Sequence, residues 1–229
     1  MPHSTSFSAV AFARVRGGVV SSILSLLAGT ILILWDLILS LINVITPNLP
    51  EKHVIGKGKP GENGLWPTYI PPGAQDSRCS CPALNAMANH GIIPRSGRNI
   101  TFRELNAALH NTYNFAPTFC FFVPHTIAGI LDRDYWTDRL DLSDIDVHNG
   151  IEHDASLTRE DSYHTHDQSK VSVKLVEDLL KSGTGPNGNL TVEDLSRYSA
   201  LRRRVAKQTN PQFSLSFSHK MFGSSKYAV

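Results

Sequence analysis

The sequence predicts an all-α domain, and three observations carry that prediction. A proline stands at the first position of the apolar run in CSCPALNAMANHG (Cys79 to Gly91), where its missing N–H costs a helix nothing. Thr101 with Glu104 and Thr191 with Asp194 have the three-residue spacing of helix N-terminal caps. The period-two alternation of a half-buried strand is nearly missing, and there is no internal repeat or low-complexity segment.

With 229 residues, 41% of them hydrophobic and 18% charged, the chain can bury one globular core and still carry an appendage. A formal net charge of +2 is too mild to indicate a nucleic-acid partner. The one basic run, Arg202 to Arg204, reads as a solvated helix face. Three cysteines, Cys79, Cys81 and Cys120, give no disulfide framework, and without a CxxC pair they give no structural zinc site. One thiol is therefore available for chemistry.

Residues 1–16 are expected to be cytoplasmic and 17–45 to form a transmembrane anchor. No charge interrupts Gly17 to Trp35, and the apolar run resumes after Asp36 as far as Ile45. Arg14 and Arg16 before it place the bulk of the chain on the lumenal or extracellular side. A cleaved signal peptide is the competing reading. Asp36 would cost about 2.5–3.5 kcal/mol at a helix centre and is expected near an interface. The sequons at Asn99 and Asn189 fit a lumenal domain.

Residues 46–75 form a Gly/Pro-rich lead-in with Trp66 and Tyr69 as packing anchors, and residues 76–229 form the domain. Its helices are expected from Pro82 to a stop at Gly91, over FRELNAALHNTY behind the Thr101 cap, and over 140–147 (LDLSDIDV). Two more are expected, over VSVKLVEDLLKSG and over VEDLSRYSALRRRVAKQ behind Thr191. Phe115 to Leu131, with four phenylalanines, reads as helix core with Cys120 buried inside it; rings lining a substrate channel are the alternative. GPNGNLTVEDL lacks the spaced acidic residues of a calcium loop and reads as a turn and helix cap.

Two stretches carry candidate chemistry. Cys81 falls at the N-cap of the helix begun by Pro82, where the helix dipole favours a thiolate that could serve as nucleophile or metal ligand; a buried, inert cysteine is the alternative. GIEHDASLTRED (Gly150 to Asp161) sets Glu152, His153 and Asp154 in a row, which no single helix face can present together. Glu152 and Ser156 offer hard oxygen ligands for Mg²⁺ or Mn²⁺, and Asp154 stands beside His153 as an orienting partner; a polar loop is the alternative. His164, His166 and Asp167 read as a surface polar loop.

Together, SCPALNAMANHG and GIEHDASLTRED resemble the fungal haem-thiolate peroxidases, the chloroperoxidase and unspecific peroxygenase family, from about Asp76 to the C-terminus. The resemblance implies a chloroperoxidase-like helical domain and haem b with Cys81 as the axial iron ligand, Ser80 replacing the first proline of the family's P-C-P motif. It further implies Mg²⁺ or Mn²⁺ held by Glu152 and Ser156 beside a haem propionate, and proton handling by His153 with Asp154. The thiolate's electron donation favours O–O cleavage of a bound peroxide, and cleavage needs a distal acid–base group. The family's distal glutamate would align near Ser225 or Lys226, no acidic residue follows Asp194, and the domain is expected to be short at its C-terminal end.

The expected function is therefore peroxide-dependent oxidation of a small apolar or aromatic molecule, possible in secondary metabolism, with no nucleic-acid partner. Two alternatives stand beside it: a degenerate haem-binding membrane protein without turnover, and a metal-dependent hydrolase built on Glu152, His153 and His164.

Overall fold

The computed structural model describes residues 27, 30–31, 33–47, 50, 55–216 and 219–220. Two compact units divide the chain, 1–54 and 55–229. In the first unit residues 33–45 are helical, with Leu34, Trp35, Leu37, Ile38 and Leu41 exposed. Residues 27, 30 and 31 are helical as well. Among the described residues no helix is long and apolar enough to cross a membrane. Residues 17–26, 28–29 and 32 of the spanning helix expected over 17–45 lie outside the described residues.

The second unit is mostly helical. Helix α1 (Pro82–Asn89) begins at its proline with Cys81 as N-cap and stops at His90, followed by Gly91 at a positive φ. Helix α2 (Phe102–Tyr113) opens on a complete capping box: Thr101 Oγ1 accepts from the Glu104 N–H, and Glu104 accepts from the Thr101 N–H at 2.9 Å. Asn114 in the left-handed region ends it, and Pro117 starts α3 (Pro117–Ile130), which packs against α2. Helices α4 (Val173–Lys181) and α5 (Val192–Thr209) start at Ser172 and Thr191, and the turn at Pro186–Gly188 precedes the Thr191 cap, as expected for GPNGNLTVEDL.

The core lies among α1, α2 and α3, where Leu84, Met87, Ile100, Phe102, Leu105, Cys120, Ile127 and Leu140 are buried together. Cys120, Pro124, Ile127 and Ala128 share the buried stripe of α3. Phe121 packs edge-on to Tyr135, which stacks on Phe102. Phe115, Phe119 and Phe122 are exposed, because the stripe set by Cys120 leaves positions 119 and 122 on the far side. Helix core, the first of two readings of this stretch beside rings that line a substrate channel, thus holds for Phe121 alone among the four phenylalanines.

A second correction concerns 140–147. No α-helix forms there, because Leu140 pairs with Ile100 in a two-stranded antiparallel ladder, β1 (Ile100–Thr101) with β2 (Arg139–Leu140). Only Leu142–Ile145 coils, as a 3₁₀ turn. A third concerns the basic run: Arg202 is buried, its Nε donating to the Ser156 carbonyl at 2.9 Å, Arg203 is half-buried, and Arg204 is exposed.

The lead-in is strapped to the end of α1. Arg95 donates to the Asn89 and Thr68 carbonyls, Ile70 N donates to the Asn89 carbonyl, and Trp66 and Tyr69 lie against the His90 ring while remaining about half exposed. Gly97 lets the chain ahead of Cys79 pass close by: φ is +64° there, and a Cβ would overlap the Ser77 carbonyl.

Candidate active site

The cysteine turn is held by Asn85, one helical turn inside α1. Its Oδ1 accepts from the Cys79 N–H at 3.0 Å and its Nδ2 donates to the Cys79 carbonyl at 2.7 Å. Cys79 Sγ is sealed, 0% exposed, and burial pushes its thiol far above the ordinary range, so it stays neutral. Cys81 differs: it is half-buried, and its sulfur makes no capping bond to the backbone of α1. Of the two neighbouring thiols, only Cys81 is partly exposed. Cys120 is a buried thiol, raised by burial, as the sequence suggested.

From this turn an aromatic path leads outward. The Tyr113 hydroxyl donates to the Ala83 carbonyl at 2.9 Å, with its own pKa pushed up by burial and by the charge of Cys81. Its ring lies 5.7 Å from Phe115, and Phe115 lies 4.9 Å from the exposed Phe119.

The 3₁₀ turn joins the cysteine turn to the carboxylate loop. Asp146 Oδ1 accepts from the Ser80 N–H at 2.7 Å, and Ser143 and Ser77 exchange hydrogen bonds. Six residues after Asp146 comes Glu152, only 4% exposed, with its carboxyl pushed up chiefly by burial and partly relieved by His148. His148 Nδ1 is 2.8 Å from Glu152 Oε2, and its Nε2 is 3.7 Å from Asp154 Oδ2. Asp154 is fully buried and accepts from the Ser214 N–H at 2.8 Å. Glu152 Oε1 and Asp154 Oδ1 are buried without a hydrogen-bond partner among the described residues.

His153 points elsewhere. Its Nδ1 is 2.8 Å from the Asp154 backbone carbonyl, an acceptor only, so Nδ1 carries the proton and Nε2 the lone pair of the neutral ring. The Asp154 carboxylate itself lies against His148. The His153 ring is 5.2 Å from that of His219, whose nitrogens engage Ser216 and the Gly150 carbonyl. Ser156 is anchored by its carbonyl to Arg202.

The sequence-derived residues thus occupy a non-helical loop, as their adjacency required, with Ala155 at a positive φ. The hydrolase trio is not assembled among the described residues: His164 is exposed beside Tyr163, and the groups that meet Glu152 are His148 and Asp154. Sequence reasoning missed His148, Asn85 and Asp146. The four-residue spacing of His148 and Glu152 was a usable signal; the other two act across turns that no periodicity announces. Ser225 and Lys226, aligned with the distal glutamate, lie outside the described residues.

Residues 67–229 match the family model described as "Peroxidase, family 2". The dothistromin biosynthesis peroxidase of Dothistroma septosporum is 30% identical over 165 residues, covering 62% of this chain and 38% of that protein. The chloroperoxidase of Leptoxyphium fumago is 37% identical over 113 residues, 46% of this chain and 29% of that one. The aromatic peroxygenase of Cyclocybe aegerita is 28% identical over 196 residues, 78% of this chain and 52% of that one. The chain therefore spans between about a third and a half of the length of these relatives. A family match over most of the chain, spanning the half-buried Cys81 and the buried carboxylate loop, makes this protein a member of peroxidase family 2, the fungal haem-thiolate peroxidases.

Proposed function

We propose that the chain is a peroxidase or peroxygenase that uses hydrogen peroxide to oxidise small apolar or aromatic molecules, with haem b on Cys81. The observation that carries this is the contrast between the two thiols: Cys79 is sealed and neutral, whereas Cys81 is presented at a helix start with its sulfur uncommitted to the cap. A soft thiolate in that place fits iron. The haem, when bound, supplies the redox chemistry that cleaves the O–O bond of hydrogen peroxide.

The chain's own residues do the rest. Asn85 fixes the turn that aims Cys81. His153, held by the Asp154 carbonyl, is the proposed group that accepts and returns a proton. Glu152, with Ser156, is the proposed holder of Mg²⁺ or Mn²⁺, and the orphaned Glu152 Oε1 fits that assignment. The exposed rings beyond Tyr113 supply apolar surface for an aromatic substrate, consistent with the names of the peroxygenase and dothistromin-pathway relatives. Placement in the secretory pathway, anchored through 17–45, is part of the proposal. It is supported by exposure of both sequon asparagines, Asn99 and Asn189, and is tested by glycosidase-sensitive mobility of the expressed protein.

The test is the spectrum of the purified, haem-supplied chain, reduced and exposed to carbon monoxide. The red-shifted band of a thiolate-ligated carbonyl haem is expected in the native chain and in Cys79→Ser, and its loss in Cys81→Ala. A thiolate spectrum that survives Cys81→Ala overturns the assignment. The band without peroxide-dependent oxidation of an aromatic probe identifies a haem-binding chain without turnover instead.

A further inference from the structure

We infer that Trp136 is a surface site of one-electron oxidation for phenols too bulky to enter a haem pocket, with Tyr135 as the relay that carries the electron inward. The inference rests on the proposed haem at Cys81 and adds a second place at which its oxidising power acts. Tyrosine and tryptophan are the side chains most readily oxidised by one electron, and here one of each meets at the boundary between core and solvent. Trp136 is 64% exposed and Tyr135 only 5%. Their ring centroids lie 5.0 Å apart with the planes at 86°, an edge-to-face pair. A single exposed tryptophan calls for no explanation by itself. This one is pinned in place, surrounded by negative charge, and seated on a buried ring that borders the core shared with Cys81.

Asp134 fixes the backbone under the indole. Its Oδ1 accepts from the Trp136 N–H at 2.7 Å, the Thr137 N–H at 3.0 Å and the Thr137 hydroxyl at 3.1 Å. These donors, the Trp136 N–H foremost, hold the Asp134 carboxyl below the usual range, so it stands as an anion. Asp138 Oδ2 accepts from the Asp134 N–H at 2.7 Å, and Asp132 is exposed on the same turn. Of the neighbouring arginines, Arg133 pairs with Asp144, and Arg139 donates to the Asn99 carbonyl. Fixed negative charge around an indole favours the cation left when the ring loses an electron.

Inward, Tyr135 belongs to the core cluster against which Cys81, Tyr113 and Phe121 pack. It meets Phe121 edge-on at 5.1 Å, and its hydroxyl accepts from Asn106 Nδ2 at 3.1 Å. Asn106 stands on the same face of α2 as Tyr113, about 10 Å along the helix axis. The Tyr113 hydroxyl in turn donates to the carbonyl of Ala83, close after Cys81 in the chain. Oxidisable rings therefore stand at both ends of this face of α2, one at the cysteine turn and one under the exposed indole. Reduction of hydrogen peroxide to two waters takes up two electrons and two protons. Trp136 gives an electron inward through Tyr135, and a phenol lying on the indole returns it. The phenol leaves as a phenoxyl radical, and its proton passes through solvent to the water formed, so two phenols are oxidised for each peroxide.

The experiment uses the full 229-residue chain loaded with haem and given hydrogen peroxide, first without a reductant and then with tyramine coupled to dextran, a phenol on a polymer too large for a buried pocket. Without a reductant, peptide mass spectrometry should locate indole oxidation at Trp136. Trp66 is the internal comparison: it is 49% exposed but lies against His90 rather than a buried tyrosine, and it should stay intact. Tyr135→Phe keeps the ring and its packing and should abolish the oxidation of Trp136. With the polymer, oxidative coupling of its phenols is expected in the native chain and lost in Trp136→Phe. Asp134→Asn, which keeps the acceptor of the turn and removes its charge, should slow that coupling. Coupling that survives Trp136→Phe overturns the inference. So does oxidation of Trp66 as readily as Trp136, and so does a native chain that oxidises free tyramine but not the polymer. The carbonyl-haem spectrum of the same preparations reads the haem assignment separately. A missing thiolate band defeats both readings, whereas a thiolate band with free-tyramine oxidation and no dependence on Trp136 defeats this one alone.

Discussion

Two buried carboxylate sites in this chain follow opposite rules. Asp194, 1% exposed, accepts from the Thr184 N–H and hydroxyl, from the Thr191 N–H and hydroxyl, and from Arg197. These donors hold its carboxyl well below the usual range, the backbone bond from Thr184 foremost. Glu152 and Asp154 are buried as deeply, yet each leaves an oxygen unpartnered, and burial pushes the Glu152 carboxyl up. A saturated carboxylate is architecture; an unsaturated one is held ready for something it does not yet touch.

The largest expected effect breaks the saturated site. Asp194→Ala strands the donors of Thr184 and Thr191 and removes the capping box of α5, so it should give the greatest loss of Tm in the carboxylate series, with Mn²⁺ affinity unchanged. Glu152→Gln should show the converse: Mn²⁺ binding lost, with metal-free stability equal to the native chain or above it. An equal Tm loss in the two variants would erase the distinction between the sites.

The same contrast predicts opposite responses to pH. Because the folded pKa of Asp194 lies below its unfolded value, near 3.8, its contribution is fully present above that value and is lost as pH falls through the folded pKa. Because the folded pKa of Glu152 lies above its unfolded value, near 4.5, the folded state binds the extra proton there, and stability falls as pH rises from 4.5 through the folded pKa. Denaturant melts at several pH values should therefore show Asp194→Asn flattening the acid limb and Glu152→Gln flattening the decline above it. Added Mn²⁺ should reverse that decline in the native chain alone.

The two sites were also unequally legible in the sequence. Thr191 and Asp194 could be paired by eye because a capping box is local, its partners three residues apart. The same holds for Thr101 with Glu104 and for Pro82. The carboxylate loop was legible as a constellation of residue types, but its partners were not: Ser214 meets Asp154 across 60 residues, and Asp146 meets Ser80 across 66. The helix expected over 140–147 was lost for the same reason, since its first residue pairs with Ile100, 40 positions earlier. Arg202 looked like part of a charged face because composition cannot show that Ser156 and Arg159 offer it carbonyls from the other side.

The smallest expected effects sharpen the comparison at its margins. Thr191→Ala removes one cap and should cost about 1 kcal/mol. Ser172→Ala, whose single capping bond to Leu175 N is long at 3.4 Å, should cost less. Ser162→Ala is the finest test. Its hydroxyl shares His148 Nδ1 with Glu152, and its loss leaves the Glu152 contact in place, so stability should stay within about 0.5 kcal/mol of the native chain. The ring would be freer to rotate about its remaining hydrogen bond to Glu152, and affinity for the proposed divalent cation at Glu152 should fall by a few-fold. If the hydroxyl did no more than decorate the surface, neither quantity would move. A change in ion affinity without a change in melting would show that the donors around the loop orient ligands, whereas the donors around Asp194 hold a helix in place.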